Sequence, residues 1–394
     1  MRNPVATVGR ERNRTARRPG FHPSGDPLGL KAAAPVPTAS PDHSPLLGAW
    51  RGVAALAVVL FHSFGAFYQA PLWGPLVPVR AVAAWGWLGL HVFFVISGYC
   101  ICARLTRALR TGESVPAFWL DRARRIYPTY WIALLAAAAL NGLTRIFSPG
   151  ATVGVLPDNA AAAAADLTLT HLFAGTTPYL LVSWTLALEV GFYLLAGGVL
   201  AVCRLLQLGP QALLLLAGTA ALPGIGISAA AAGPLALLAA WPEFFAGMCV
   251  AAAAQSRSRG DRRGAGIALG LLAAMSFLAA GSVGSYAGTA RVSALGFAWL
   301  LVLLQPWENR LAAAAPVRWL GWIGLFSFSL YLVHVPVLTR ILNLGRRFVA
   351  AEAPLFALVW LAGVAAAVAA GRFFYVAVER RAEANRFARR AALR

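Results

Sequence analysis

Long apolar stretches alternate with short polar or basic segments along most of the chain. A helix needs about 20 mostly apolar residues to cross the hydrocarbon core of a bilayer. Eight convincing stretches are Leu47–Tyr68, Trp85–Leu105, Pro128–Phe147, Tyr179–Cys203, Pro234–Ala254, Ala265–Gly281, Ile323–Asn343 and Leu355–Tyr375. Two more, Ala212–Ile227 and Gly288–Leu304, are shorter and rich in glycine and alanine. The pattern predicts an all-α, polytopic transmembrane helix bundle of about ten spans.

Basic residues between these stretches predict the orientation of the bundle. Arginines cluster within residues 104–125, 255–264 and 379–394, which share the side of the N terminus when ten spans are counted. Because basic loops are retained in the cytoplasm, both termini are predicted to be cytoplasmic. Arg346 and Arg347 depart from this rule, since they fall on the predicted outer side. That pair marks either a charged acceptor site or a loop too weakly charged to influence orientation.

The same patterning divides the chain into three parts. Residues 1–44 are rich in Arg, Pro, Gly and Ser without an apolar period, so we expect a disordered basic cytoplasmic tail. No apolar segment follows its basic residues closely, which argues against a signal peptide. Residues 45–378 form the predicted membrane domain, and 379–394 a second basic cytoplasmic tail. We expect a stand-alone membrane domain without an attached extracytoplasmic hydrolase-like domain.

Composition supports a membrane protein and excludes other classes. Hydrophobic residues make up 59% of the chain and charged residues 12%, with a mean hydropathy of +0.67. Soluble proteins carry about 25% charged residues. The net charge of +20 lies mainly in tails and short loops, which favours contact with the bilayer and predicts no nucleic-acid partner. We therefore expect a multi-pass protein of the cell inner (plasma) membrane.

The four cysteines fall in apolar stretches and lack the spacing of a metal site or a disulfide framework. We interpret them as small buried hydrophobic residues. No metal site is predicted.

Arg51 and His62 are the first candidates for chemistry. They are eleven residues apart, close to three helical turns, so both project from one face about 16 Å apart along the axis. A histidine with a pKa near 6.5 can act as a general base toward a hydroxyl. The alternative interpretation, equally compatible with the spacing, is that His62 is only a polar residue packed against a neighbouring helix and that Arg51 is a flanking basic residue.

Further motifs in a fixed order change this balance. The five motifs are Arg51–His62 with Arg-x10-His spacing, Gly86–Tyr99, Phe118–Pro128, Ser183–Tyr193 and Ser329–Pro336. Together they resemble the acyltransferase 3 family of membrane-bound O-acyltransferases. This resemblance implies transfer of an acyl group, usually acetyl from acetyl-CoA, to a hydroxyl of a glycan, a glycolipid or a macrolide-type metabolite. The acyl-CoA is a donor substrate, and no permanently bound cofactor is expected.

The resemblance also implies roles for individual residues. His62 becomes the catalytic base, or alternatively a covalent carrier of the acyl group, with Arg51 assisting. Arg122 and Arg125 match the Arg-x-x-Arg motif of a cytoplasmic loop, where guanidinium groups suit the CoA phosphates. Their alternative interpretation is simply the positive charge of a cytoplasmic loop. Glu189 either orients His62, receives a proton, or makes an interhelical hydrogen bond.

Other polar residues of the motifs have open roles. Trp184, Tyr193 and His334 are candidates for the acceptor cavity. The alternative is packing and interface anchoring for Trp184 and Tyr193, and structural hydrogen bonding for His334. His91 stands where the family pattern has a carboxylate or amide, so we interpret it as a neutral histidine facing the bundle. Glu379 begins a segment that resembles the terminal family motif but lacks its proline, and it receives little weight.

Two other classes of function compete with the acyltransferase. In a transporter or flippase of lipid-linked glycans, the buried histidines and glutamates form a proton relay. No inverted repeat or broken helix pair is visible in support of it. A noncatalytic scaffold leaves the ordered polar motifs unexplained. The Ala-, Arg- and Gly-rich composition indicates a bacterial source, while the acceptor, the acyl chain and the oligomeric state do not follow from the sequence.

Overall fold

The computed structural model describes residues 44, 46–65, 69–147, 157, 159–227, 233–256, 258–279 and 286–392. The predicted disordered tail lies outside these residues, apart from Ser44. Over the described part the chain folds into sixteen α-helices and contains no β-strand. The predicted all-α fold class is confirmed.

The helices follow one another with short connections. They are α1 Leu47–Ser63, α2 Leu76–Ala83, α3 Gly89–Thr111, α4 Val115–Phe147, α5 Ala160–Thr168, α6 His171–Ala174, α7 Ser183–Leu205, α8 Pro210–Gly226, α9 Pro234–Gln255, α10 Arg259–Ala279, α11 Tyr286–Leu304, α12 Glu308–Ala313, α13 Ala315–Leu325, α14 Ser327–Gly345, α15 Phe356–Phe374 and α16 Arg380–Ala392.

Each of the ten apolar stretches predicted from the sequence overlaps a helix of the described residues. Seven helical segments among the described residues are long and apolar enough to cross a membrane, while α1 and most of α8 are shorter apolar helices. The chain is therefore a multi-pass membrane protein. The count of ten spans and the cytoplasmic location of both termini stay predictions.

The arginine-rich segment between α3 and α4 corrects the predicted boundaries. Residues 104–125 were expected to form a loop, yet only 112–114 connect the two helices. Gly112 ends α3 at a φ of 71°, a backbone conformation that glycine adopts without steric cost. α4 then continues through Pro128, whose missing N–H removes one hydrogen bond without ending the helix. Arg122 and Arg125 consequently lie on a helix and not on a loop.

A second correction concerns the predicted span Ile323–Asn343. The helix breaks at Phe326, with φ −114° and ψ 19°, so that α13 and α14 are separate helices. Trp319 and Trp322 of α13 are 56% and 42% exposed. Tryptophans with exposed rings are typical of the bilayer interface. α13 therefore has the character of an interfacial helix that leads into α14.

Glycines bring the central helices into backbone contact. A Cβ on Gly98 would lie 1.9 Å from the carbonyl oxygen of Phe244, and a Cβ on Gly247 equally 1.9 Å from that of Val95. Only residues without a side chain allow α3 and α9 to approach so closely. Gly98 and Gly247 thus permit the close approach of α3 and α9.

α14 lies between two hydrophobic cores. Leu332 belongs to the larger core, built mainly by α3, α4, α7, α8, α9 and α11. Leu330 and Leu338 belong to the smaller core, shared with α1, α13 and α15. This position places the polar residues of α14 at the junction of the bundle.

Candidate active site

His62 and His334 form a pair of rings between α1 and α14. Nε2 of His334 lies 3.1 Å from Nδ1 of His62, and the ring centroids are 4.9 Å apart. His334 is fully buried, whereas His62 is partly exposed one residue before the end of α1. The two residues are 272 positions apart in the chain and are joined by packing alone.

Backbone carbonyls determine which nitrogen of each neutral ring carries the hydrogen. Nδ1 of His334 lies 2.8 Å from the Tyr331 carbonyl oxygen and 3.1 Å from that of Leu330. Nδ1 of His62 lies 3.0 Å from the Val58 carbonyl oxygen. Because a carbonyl only accepts, both Nδ1 atoms are assigned as donors. His62 Nδ1–H then also faces the lone pair of His334 Nε2, and Nε2 of His62 keeps a lone pair of its own.

Tyr331 fixes the part of α14 that carries His334. Its hydroxyl pairs with the Thr185 hydroxyl at 2.7 Å and donates to the Val182 carbonyl at 3.2 Å. These partners lie at the beginning of α7. The motifs Ser183–Tyr193 and Ser329–Pro336 therefore meet in space, as their shared membership of one site requires.

Glu189 is the centre of a second polar cluster. Its Oε1 accepts from Ser97 Oγ at 3.2 Å and from the Tyr193 hydroxyl on the same helix. The sequence offered orientation of His62 as one role of Glu189. The Val58 carbonyl and His334 orient the His62 ring instead. Glu189 joins α3 to α7 through its hydrogen bond with Ser97.

α4 adds its arginines to the Glu189 cluster. The Arg122 guanidinium lies 5.9 Å from the centre of the Tyr193 ring and pairs with Asp121. Trp119 Nε1 donates to the Tyr193 carbonyl at 3.2 Å. Arg125 interacts electrostatically with Glu189 and with two carboxylates near the C terminus. Both predicted CoA-binding arginines thus lie beside the Glu189 cluster.

One of those C-terminal carboxylates, Glu379, was underestimated from the sequence. It is 6% exposed, and its Oε2 accepts from Ser329 N at 3.2 Å and from Ser329 Oγ at 2.5 Å. The segment lacks the proline of the family motif, which is why it received little weight. The missed signal was a carboxylate directly after an apolar helix, where burial requires a partner.

The remaining predicted residues have separate surroundings. Arg51 donates to Cys100 Sγ on α3 at 3.3 Å, so it lies against α3 while His62 contacts α14. Trp184 is 37% exposed at the start of α7, which suits an interface anchor. His91 was expected to be a neutral histidine facing the bundle. It is buried, and its Nδ1 lies 2.7 Å from Oε2 of buried Glu243, which supplies a carboxylate next to the position where the family pattern differs.

Two further polar clusters were missed by the motifs. Arg340 of α14 donates to Asn141, to the Pro336 carbonyl at 2.8 Å and to Thr144 at 3.3 Å, which ties α14 to α4. Outside the spans, burial raises the pKa of Asp166, an effect opposed by the Tyr179 amide, and burial lowers the pKa of His171. Nδ1 of His171 lies 3.9 Å from Asp166 Oδ1. Neither cluster touches the histidine pair directly.

Among the described residues, no group of three or more His, Cys, Asp or Glu side chains is arranged to hold a metal ion.

The fold and the polar residues together define the class of the protein. It is a multi-pass helical membrane protein with a histidine pair and a Glu–Tyr–Arg cluster. The family model described as an acyltransferase domain (Acyl_transf_3) matches residues 47–375. The chain belongs to the acyltransferase 3 family and is an acyltransferase. This membership rules against the flippase and the scaffold as its class.

Two curated relatives are similar to parts of the chain. The exopolysaccharide production protein ExoZ of Rhizobium meliloti (strain 1021) is 32% identical over 126 residues, 29% of this chain and 34% of ExoZ. Protein 2 in the picA locus of Rhizobium radiobacter is 33% identical over 100 residues, 25% of this chain and 46% of that protein. The chain thus matches between a third and a half of the length of these relatives. No solved structure matches the chain.

Proposed function

We propose that this protein transfers an acyl group, in the first place acetyl, from acyl-CoA to a hydroxyl of a surface polysaccharide or a glycolipid. The observation that carries the proposal is the histidine pair, in which neutral His62 keeps a lone pair on Nε2. A lone pair at a partly exposed position is what a general base needs to reach a substrate hydroxyl.

The proposed reaction is a single acyl transfer. His62 Nε2 takes the proton of the acceptor hydroxyl, while the oxygen of that hydroxyl attacks the thioester carbonyl carbon. The carbon–sulfur bond breaks, and the CoA thiolate leaves with the proton returned by His62. The products are the ester of the acceptor and free CoA-SH, so no further reactant is needed.

His334 is proposed as a positioning residue for this step. Its Nε2 accepts the Nδ1–H of His62 and stabilises the ring when His62 becomes positively charged. The arrangement follows the logic of a base that is oriented by a third group. Because its own Nδ1 is held by two carbonyls, His334 cannot rotate without losing these contacts.

The donor is proposed to bind with its phosphates at Arg122 and Arg125, toward the predicted cytoplasmic side. Guanidinium groups match phosphate geometry, and both lie close to the Glu189 cluster. Arg51 and His62 are about 16 Å apart along α1. Arg51 is proposed to assist at the anionic end of the donor, far from the thioester at His62.

The acceptor is proposed to be a glycan at a bacterial inner membrane. The partial similarity to an exopolysaccharide production protein supports a polysaccharide hydroxyl. A glycosylated or macrolide-type metabolite has the same reactive group and is the second acceptor class to be assayed.

The test is acyl transfer by the purified full-length chain. With labelled acetyl-CoA and a panel of polysaccharide, glycolipid and macrolide acceptors, we expect a labelled ester. We expect His62→Ala to lower its rate of formation by about 10²–10⁴-fold, with an unchanged unfolding temperature. Thr339→Ala is the matched control, because this exposed α14 hydroxyl donates to a carbonyl of its own helix. Full activity of the His62 variant would contradict the proposed base.

A further inference from the structure

A large cleft lies away from the histidine pair, between α3, α8, α9 and α10. Its volume is about 620 Å³, and none of the proposed catalytic or CoA-binding residues lines it. On α10 it extends from Gly260 to Met275, about 22 Å of helix. One leaflet of the hydrocarbon core is about 15 Å thick. The cleft is therefore long enough for the acyl chain of a membrane lipid.

The two ends of the cleft differ in chemistry. The end near the α9–α10 connection is lined by Arg110, Gln211, Gln255 and Asp261. The rest is lined mainly by leucine, isoleucine, phenylalanine and methionine side chains, with Cys102, Thr106 and Thr219 among them. Gln255 Nε2 is buried and has no hydrogen-bond partner among the described residues. A buried amide donor without an acceptor is costly, and it indicates a ligand oxygen at this end.

The apolar walls continue into the surface of the bundle. Leu215 and Leu271 both line the cleft and are 71% and 58% exposed. In a membrane protein, exposed leucines on apolar helices such as α8 and α10 face lipid. A lipid chain can therefore enter the cleft sideways from the bilayer.

The polar end is basic overall. Arg110 is exposed at the last turn of α3, and Arg259, Arg262 and Arg263 stand at the start of α10. Asp261 is the opposing charge, and its carboxylate accepts from Ser256. Arg110 lines the cleft and the three arginines of α10 flank it, so the charge at this end favours an anionic headgroup over a zwitterionic one.

From these observations we propose that the cleft binds an anionic phospholipid. Its phosphate lies at Arg110, an ester or phosphate oxygen accepts from Gln255, and one acyl chain fills the apolar part. The site is separate from the acyl-transfer reaction, so it stands whether or not the proposed function is correct.

Native mass spectrometry of the full-length chain in detergent tests the site. Dimyristoyl phosphatidylglycerol and dimyristoyl phosphatidylcholine have the same chains and differ in headgroup charge. We expect one tightly bound phosphatidylglycerol per chain and weaker binding of phosphatidylcholine. Arg110→Gln should weaken phosphatidylglycerol binding about fivefold, the contribution of one basic side chain near an anionic headgroup, and leave phosphatidylcholine unchanged.

A pair of glycine variants tests the position of the chain. Gly264 lines the cleft, and a Cβ added there meets nothing within 4 Å, so Gly264→Phe should fill the cleft and remove binding of both lipids. Gly266 is equally open but does not line the cleft, so Gly266→Phe is the matched control. Both variants should elute as monodisperse protein.

The outcomes separate the parts of the proposal. Wild-type binding by Gly264→Phe would overturn the cleft as the site. An unchanged preference for phosphatidylglycerol in Arg110→Gln would overturn the headgroup contact. Should Gly264→Phe fail to fold, the Arg110 variant still decides, because its exposed side chain is replaced without repacking.

Discussion

The role of His334 can be separated from that of His62 by the atoms each presents. His62 requires only an acceptor on the neighbouring helix to hold its Nδ1–H. We therefore expect His334→Gln, whose side-chain oxygen can accept, to keep more activity than His334→Leu. The leucine removes one of the two acceptors of His62 Nδ1–H and leaves the Val58 carbonyl, so we expect a loss of about 0.5–1.5 kcal/mol, or roughly 2- to 13-fold in kcat. Steady-state kinetics of the two variants measure this difference.

KM distinguishes positioning from structural damage in these variants. If His334 acts through His62, the KM values for acyl-CoA and acceptor should stay close to wild type while kcat falls. Equal losses in the glutamine and leucine variants would contradict the hydrogen-bond role. His62→Ala combined with His334→Leu should be no slower than His62→Ala alone, since the two residues act as one unit.

Single residues were predictable as far as local spacing reaches. Arg51 and His62 lie on one helix because the apolar stretch between them is uninterrupted, and this follows from the sequence. Their partners do not, because Cys100 and His334 are brought to α1 by packing of distant helices. For the same reason Glu379 was undervalued: its partner Ser329 is fifty residues away in the chain.

At the scale of helices, the α3–α9 contact limits where the Glu189 cluster can form. Ser97, which donates to Glu189, directly precedes Gly98, the residue pressed against the backbone of α9. We expect Gly98→Ala to force the helices apart and destabilise the protein by about 1–3 kcal/mol. Activity should fall with it, because Ser97 moves relative to Glu189. Thermal unfolding in detergent and transfer kinetics measure the two effects.

Gly198 of α7 provides the matched control for this helix contact. A Cβ there meets nothing within 4 Å, so Gly198→Ala only improves helix propensity, by about 0.5–1 kcal/mol. The two substitutions should therefore change the unfolding temperature in opposite directions. Destabilisation of equal size at both positions would mean that the close α3–α9 approach is not the cause.

The existence of the helices was predictable, whereas several of their ends were not. Apolar stretches of sufficient length form helices because the bilayer leaves the backbone no other partner. The start of α4 was misplaced because Pro128 was taken as a helix start. One lost hydrogen bond does not end a helix that continues before and after the proline. Gly324 lies two residues before the break at Phe326, but glycine is also frequent inside spanning helices, so the sequence did not single out this break.

For the whole molecule, the side of the membrane on which the segments after α10 lie depends on whether α10 crosses it. Its apolar part, from Ala265 to Ala279, is about 22 Å long and falls short of a hydrocarbon core of about 30 Å. Yet Ile267, Phe277 and Leu278 are 62%, 65% and 81% exposed, which suits contact with lipid along the helix. Arginines at its start can extend toward the headgroups and compensate for the shortness.

Cysteine labelling shows whether α10 crosses. Three spans, α10, α11 and α14, separate Arg259 from Glu352 in the ten-span arrangement, so the two residues lie on opposite sides. Without α10 as a span they share one side. Both residues are exposed and three of the four native cysteines are buried, so background labelling should be low.

We expect an impermeant maleimide to label Glu352→Cys in intact spheroplasts and Arg259→Cys only after permeabilisation. Labelling of both in intact spheroplasts, or of neither, would exclude α10 as a span. Labelling of Arg259→Cys alone would reverse the predicted orientation, and the arginines proposed for CoA would then face away from the cytoplasmic donor.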